Sequence, residues 1–219
     1  MGKMTLSQMV AQLAGGMGTS IQIFVVTLVF SLPLGLIVAF GRMTKNGFLR
    51  NLVKVYISIM RGTPLMLQLM VVYFGPYYLF GIRVGSSYRL WATFIGFVIN
   101  YAAYFAEIYR SGIQSMPQGQ YEAAYILGYS RFQTFFKIIL PQVIKRILPS
   151  ITNEVITLVK DTSLAFTLSV VEMFSVAKAL ASSQTSMIPF VAAGLFYYIF
   201  NLIVACTMEW MEKKLEDYR

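Results

Sequence analysis

The sequence predicts an all-α membrane protein of five transmembrane helices, forming one domain over residues 1–219. Three observations predict it. Five apolar stretches, near 19–40, 55–80, 90–109, 151–172 and 187–208, reach or approach the ~20 residues a helix needs to cross a bilayer. Charged residues make up only 12% of the chain and hydrophobic residues 57%, whereas a soluble domain carries about a quarter charged residues. Lysine and arginine are concentrated in alternate connections, as expected where basic loops are retained on the cytoplasmic side.

Residues 1–18 precede the first span. Leu6, Met9, Val10, Leu13 and Met17 recur at helical spacing, which predicts an external amphipathic segment lying on the membrane surface. Thr5 with Gln8 can form a capping box there, and Gln8 and Gln12 make the stretch too polar for a secretory core. Arg42, Lys45, Arg50 and Lys54 follow the first span. Gly62 and Pro64 predict a kink or interruption in the second, as at transporter sites built from broken helices. The third span ends near Glu107 and Arg110, whose spacing suits a local ion pair.

The segment 112–148 is the largest polar connection. Pro117 suits a first helical turn, and Gly128 the left-handed position past a helix end. Ser130 with Gln133 reads as a capping box opening a second short helix. Pro141 stops or bends that helix, and Pro149 leads into the fourth span. With Arg110, Arg131, Lys137, Lys145, Arg146 and the tail residues Lys213, Lys214 and Arg219, twelve of the eighteen basic residues fall on one side. Lys3, Arg83, Arg89 and Lys178 fall on the other. The expected orientation is N-terminus outside and C-terminus cytoplasmic. The net charge of +9 is then a topology signal, not a nucleic-acid surface. Trp91 and Trp210 sit near span ends, as interfacial anchors do.

Several classes of chemistry are excluded. The chain has no histidine and a single cysteine, Cys206, in an apolar stretch. That leaves no disulfide framework, no Cys/His metal site and no histidine-based catalysis. No phosphate-binding G-x-x-x-x-G-K-[ST] loop occurs, and no nucleophile–base pair suggests an enzyme.

Polar residues inside spans are the candidate site. Glu154 and Asp161 are seven residues apart, with Thr157 between them, so all three share one helix face. A charge at mid-bilayer costs ~2.5–3.5 kcal/mol, so the two carboxylates should meet a cation or water rather than lipid. They line a pathway and bind a cationic solute, or Glu154 is solvated or ion-paired and Asp161 serves the fold or a gate. Asn100 and Tyr104 share a face of the third span. Asn100 either glues helices or contacts cargo, Tyr104 packs or contacts cargo, and Gln68 reads first as helix glue. Lys160 points about 100° away from Asp161.

Glu122-Ala123-Ala124-Tyr-Ile-Leu-Gly128, nine residues, then Ile138-Ile139-Leu140-Pro141 resembles the E-A-A-x-x-x-G-x9-I-x-L-P coupling loop of ABC importer permeases. Arg61-Gly-Thr-Pro-Leu65, Asn100 to Arg110, Leu140-Pro-Gln142 and Lys160-Asp-Thr-Ser163 resemble the polar amino acid permeases, the histidine/arginine/glutamine branch. The resemblance implies a type I permease fold in the bacterial inner membrane, with a cytoplasmic coupling helix-turn-helix. It places Glu122, Ala123, Ala124 and Gly128 against a cytoplasmic ATPase. ATP and Mg would be bound by a pair of such subunits, with no cofactor in this chain. It also implies a second permease chain, identical or homologous, and an external solute-binding protein. The expected function is alternating-access import of amino acids, with arginine, lysine or histidine favoured by the two carboxylates. A glutamine, glutamate or cystine permease is the alternative, and an ion-coupled secondary transporter would leave the coupling loop unexplained.

Overall fold

In the computed structural model, which describes residues 5–216, no strand occurs among the described residues. Lys3 and Arg219, counted above for orientation, lie outside them. Among the described residues three helices are long and apolar enough to cross a membrane: α1 (Leu6–Met43), α4 (Tyr88–Gln114) and α9 (Ile188–Glu216). Two bent helix pairs raise the number to five if each crosses once. The chain is therefore an all-α, multi-pass membrane protein.

The first bent pair is α2 (Gly47–Gly62) and α3 (Leu65–Phe80), which meet at 113°. The Asn46 side chain caps α2 by accepting from the amides of Phe48 and Leu49. Pro64 has no N–H to continue the helix, and it pushes the preceding Thr63 into extended backbone at φ −125° and ψ 150°. The interruption expected at Gly62–Pro64 is thus present. It also cuts the predicted 55–80 span in two, and α2 begins earlier than the apolar run suggests.

α4 is the spine of the bundle. It buries Phe97, Tyr101 and Phe105 and packs chiefly against α1. That approach is close at Gly35, where a Cβ would sit 2.9 Å from the Phe105 Cβ and 3.1 Å from the Ala102 carbonyl. After α4 come α5 (Gln118–Ile126) and α6 (Arg131–Gln133), separated by Gly128 at φ 77°. That left-handed turn is one a side chain adopts only at a cost. The Ser130–Gln133 capping box forms as expected.

Two expectations are corrected here. Of the two readings of Pro141, a stop or a bend, the stop is excluded, because the second short helix does not end there. It runs through a π-helical turn at Thr134–Ile139 into α7 (Leu140–Asp161). The wider turn accommodates the donor that Pro141 lacks, so the fourth span is the far part of one long helix. Nor do residues 5–18 form a segment separate from the first span. They are the start of α1, still opened by the Thr5–Gln8 capping box. Met9, Leu13 and Met17 pack against Met173, Ala177 and Leu180. Three of the five periodic residues thus meet protein, while Leu6 and Val10 stay exposed.

α7 tightens into a 3-10 helix at Thr162–Leu168, then turns sharply at Ser169, φ 58°. The chain continues as α8 (Met173–Gln184), the second bent pair meeting at 61°. α8 packs on α1 and α9.

Candidate functional site

A cavity of about 270 Å³ lies between the α2–α3 elbow, α4 and α7. The elbow supplies Thr63, Pro64 and Leu65 to its lining. α4 supplies Asn100, Tyr101 and Tyr104, and α7 with the 3-10 turn supplies Glu154, Thr157, Asp161 and Leu164. The helical repeat of α7 explains how two carboxyl groups reach one opening, since seven residues return a helix to nearly the same face. Both acids are half-buried.

Each polar group has a definite arrangement. Tyr101 donates its hydroxyl to Asp161 Oδ2 at 2.8 Å, and Tyr101 itself is only 2% exposed, stacked on Phe97. One Asp161 oxygen is thereby held from the α4 side. The Thr157 hydroxyl donates to the Asn153 carbonyl at 2.9 Å, so its proton serves its own helix and only its oxygen faces outward chemistry. The Arg61 guanidinium lies 5.3 Å over the Tyr104 ring, a cation–π geometry that sets one positive charge beside the cavity. Glu107 and Arg110 form the expected local ion pair on α4.

Five of the six side chains expected to touch cargo therefore surround this cavity. Gln68 is the exception. It faces a separate, almost wholly apolar groove with Ile59, Leu67 and Ile99, and its amide is bound to the elbow and to Asn100. Tyr101 was not singled out by sequence reasoning. Its three-residue spacing from Tyr104 on one α4 face could have marked it, but its partner is sixty residues away in sequence.

The α5–α6 loop is a second, separate surface. Glu122, Ala123 and Gly128 are exposed, whereas Ala124 is 1% exposed and packs inward. Ala124 thus supports α5 from within. Beside them the tip is apolar and open: Tyr125, Ile126 and Leu127 are each more than two-thirds exposed. Exposed apolar clusters of this kind mark interaction sites.

A multi-pass helical bundle with a polar cavity beside a broken helix, and a helical loop projecting from one end, defines a solute permease. Residues 31–217 match the binding-protein-dependent transport system inner membrane component family, and the chain belongs to that family. It is 34% identical to the L-cystine transport system permease protein TcyB of Bacillus subtilis (strain 168), over 94% of this chain and 87% of that protein. It is also 34% identical to the arginine transport system permease protein ArtQ of the same strain, over 92% of this chain and 91% of that one. Among solved structures it superposes on a chain of an amino acid ABC transporter crystallised with histidines, at TM-score 0.86 and 27% identity, covering 98% and 100% of the two chains. The type I ABC importer permease fold expected from the coupling-loop motif is the fold observed.

Proposed function

We propose that this chain is the permease subunit of an ATP-driven amino acid importer and that its cavity accepts basic amino acids. The observation that carries the cargo reading is the charge pattern. Glu154 and Asp161 line the cavity, and one guanidinium, Arg61, stands over the Tyr104 ring of its wall. Arginine, lysine or protonated histidine presents the complement, two cationic groups and one carboxylate. A neutral amino acid would leave one half-buried carboxylate without a cationic partner, which is unfavourable where water is partly excluded. The arginine-transporting relative supports this reading. The cystine-transporting relative favours the alternative of a neutral, bulkier cargo. Uptake of radiolabelled arginine into proteoliposomes, competed with lysine, histidine, glutamine, glutamate and cystine, decides between them. Inhibition by lysine and histidine, and none by glutamine, is expected. Preference for glutamine or cystine would overturn the basic reading.

Energy enters through the α5–α6 loop, which docks on a cytoplasmic ATPase subunit that binds ATP and Mg. Glu122, Ala123 and Gly128 supply the exposed polar and backbone contacts, and Tyr125, Ile126 and Leu127 the apolar ones. The loop side is then cytoplasmic, with the N-terminus outside. An external binding protein delivers cargo, and a second permease chain, identical or homologous, completes the pathway. Glu122→Arg tests the docking, because reversing a charge at the exposed start of the motif places a repulsive group in an interface built for an acid. Co-purification of the ATPase is expected to fall about tenfold or more, while thermal stability of the permease stays unchanged. Undiminished co-purification would remove the loop as the docking site.

A further inference from the structure

The geometry points to Gln68 and Asn100 as positioning residues for transport: their two amides form a clasp that holds the α2–α3 elbow against α4. The clasp sets one wall of the cavity, and the inference rests on reading that cavity as the cargo site. Breaking a helix inside a membrane frees backbone carbonyls that neither lipid nor the interrupted helix can satisfy. Here the carbonyls of Met60 and Thr63 flank the break. Gln68 Nε2 lies 3.0 Å from the Met60 oxygen, 3.1 Å from the Thr63 carbonyl and 2.8 Å from Thr63 Oγ1. Asn100 Nδ2 donates across from α4 to the same Met60 oxygen at 3.1 Å and to Gln68 Oε1 at 2.8 Å.

Both Asn100 amide hydrogens are committed to the clasp, and so are the two of Gln68, shared among three acceptors. Neither residue has a donor left for cargo. Asn100 and Thr63 nevertheless belong to the cavity lining as well. The clasp therefore joins the cavity wall to the elbow, and movement of the elbow during the transport cycle must open these bonds. Alanine or leucine at position 68 would orphan the Thr63 carbonyl and leave Asn100 as the only side-chain donor to the Met60 carbonyl, so the pair does more than fill space.

The test uses a reporter cysteine. Leu65 lines the cavity just beyond the elbow, and the chain's one cysteine, Cys206, is exposed on α9 and is removed by Cys206→Ser. Leu65→Cys in that background is labelled with a membrane-impermeant maleimide in vesicles of both orientations. Gln68→Glu keeps the shape and loses the donors to Met60 and Thr63. Its labelling rate is expected to rise about tenfold, the shift expected when one clasped state loses its bias, and maximal arginine uptake should fall with KM within about twofold. Should Gln68→Glu fail to reach the membrane, Asn100→Asp carries the same expectation. A KM raised about tenfold with unchanged labelling would make the amides cargo ligands and overturn the proposal. Unchanged labelling and unchanged uptake would also overturn it, leaving only packing. If the wild-type complex does not import arginine, the cargo reading fails, while the labelling rates still decide the clasp.

Discussion

Replacing both cavity acids, Glu154→Gln with Asp161→Asn, is expected to reduce arginine uptake by about a hundredfold or more at low concentration, while the complex still assembles. In the proposed cargo site each carboxylate would make a charge-assisted contact with a cationic group of the amino acid, and such contacts contribute about 1.5–3 kcal/mol. Each 1.4 kcal/mol is about tenfold in affinity. The loss should therefore appear mainly in KM, with each single substitution costing about tenfold and the pair more. The chosen amides preserve the local structure. At position 161 the amide oxygen can still accept the Tyr101 hydroxyl, now 2.8 Å from Asp161 Oδ2, so the stack of Phe97 on Tyr101 need not move. The measurement is concentration-dependent uptake in proteoliposomes, with ATPase co-purification as the assembly control. Unchanged KM for arginine in the double variant would show that the acids serve fold or gating instead. A gain of glutamine uptake in either single variant would be a further sign that charge count selects cargo, because the remaining acid still meets the α-ammonium group and no carboxylate is left unpaired by a neutral side chain.

How much of this was readable beforehand depends on how far apart the interacting residues lie. Features set within one or two helical turns were legible. The Thr5–Gln8 and Ser130–Gln133 boxes, the break at Pro64, the Glu107–Arg110 pair and the shared face of Glu154, Thr157 and Asp161 all follow from spacings of two to seven residues. Features set by a distant partner were not. α1 continues through residues 5–18 because α8 presents Met173, Ala177 and Leu180 to it, and no window near the N-terminus contains that information. The helix survives Pro141 through a π turn, a backbone adjustment with no side-chain signature. Gln68 was rightly suspected of binding helices together, but its acceptors are exposed only by the elbow. Asn100 shows the same limit, since whether an intramembrane amide binds cargo or backbone depends on which carbonyls the fold leaves free.

Glu172 is the residue whose loss should cost the fold most. The fourth apolar run ends there, and nothing in its local sequence distinguishes it from a solvated acid at a span boundary. In the fold it is fully buried, at 0% exposure. Its carboxyl group caps α8, accepting from the amides of Phe174 at 2.6 Å and Ser175 at 2.8 Å. It also accepts from the Ser175 hydroxyl at 2.9 Å and from Tyr197 of α9 at 3.2 Å. The next amide, Met173, donates to Ser20 of α1 at 3.3 Å. One joint thus ties α8 to both long helices just after the left-handed turn at Ser169. Glu172→Ala leaves two amides and two hydroxyls without this acceptor in apolar surroundings, a loss of about 3–5 kcal/mol of the kind that breaking a buried polar network produces. Glu172→Gln keeps one acceptor oxygen and turns an NH2 toward other donors, so about 1–3 kcal/mol is expected. Thermal unfolding of the detergent-purified chain should rank wild type above Glu172→Gln above Glu172→Ala. A midpoint for Glu172→Ala indistinguishable from wild type would remove the joint as a source of stability. Glu172 does not line the cavity proposed to hold cargo, so the Glu172→Gln protein that does fold should take up arginine with unchanged KM, the reverse of the pattern expected for Glu154 and Asp161.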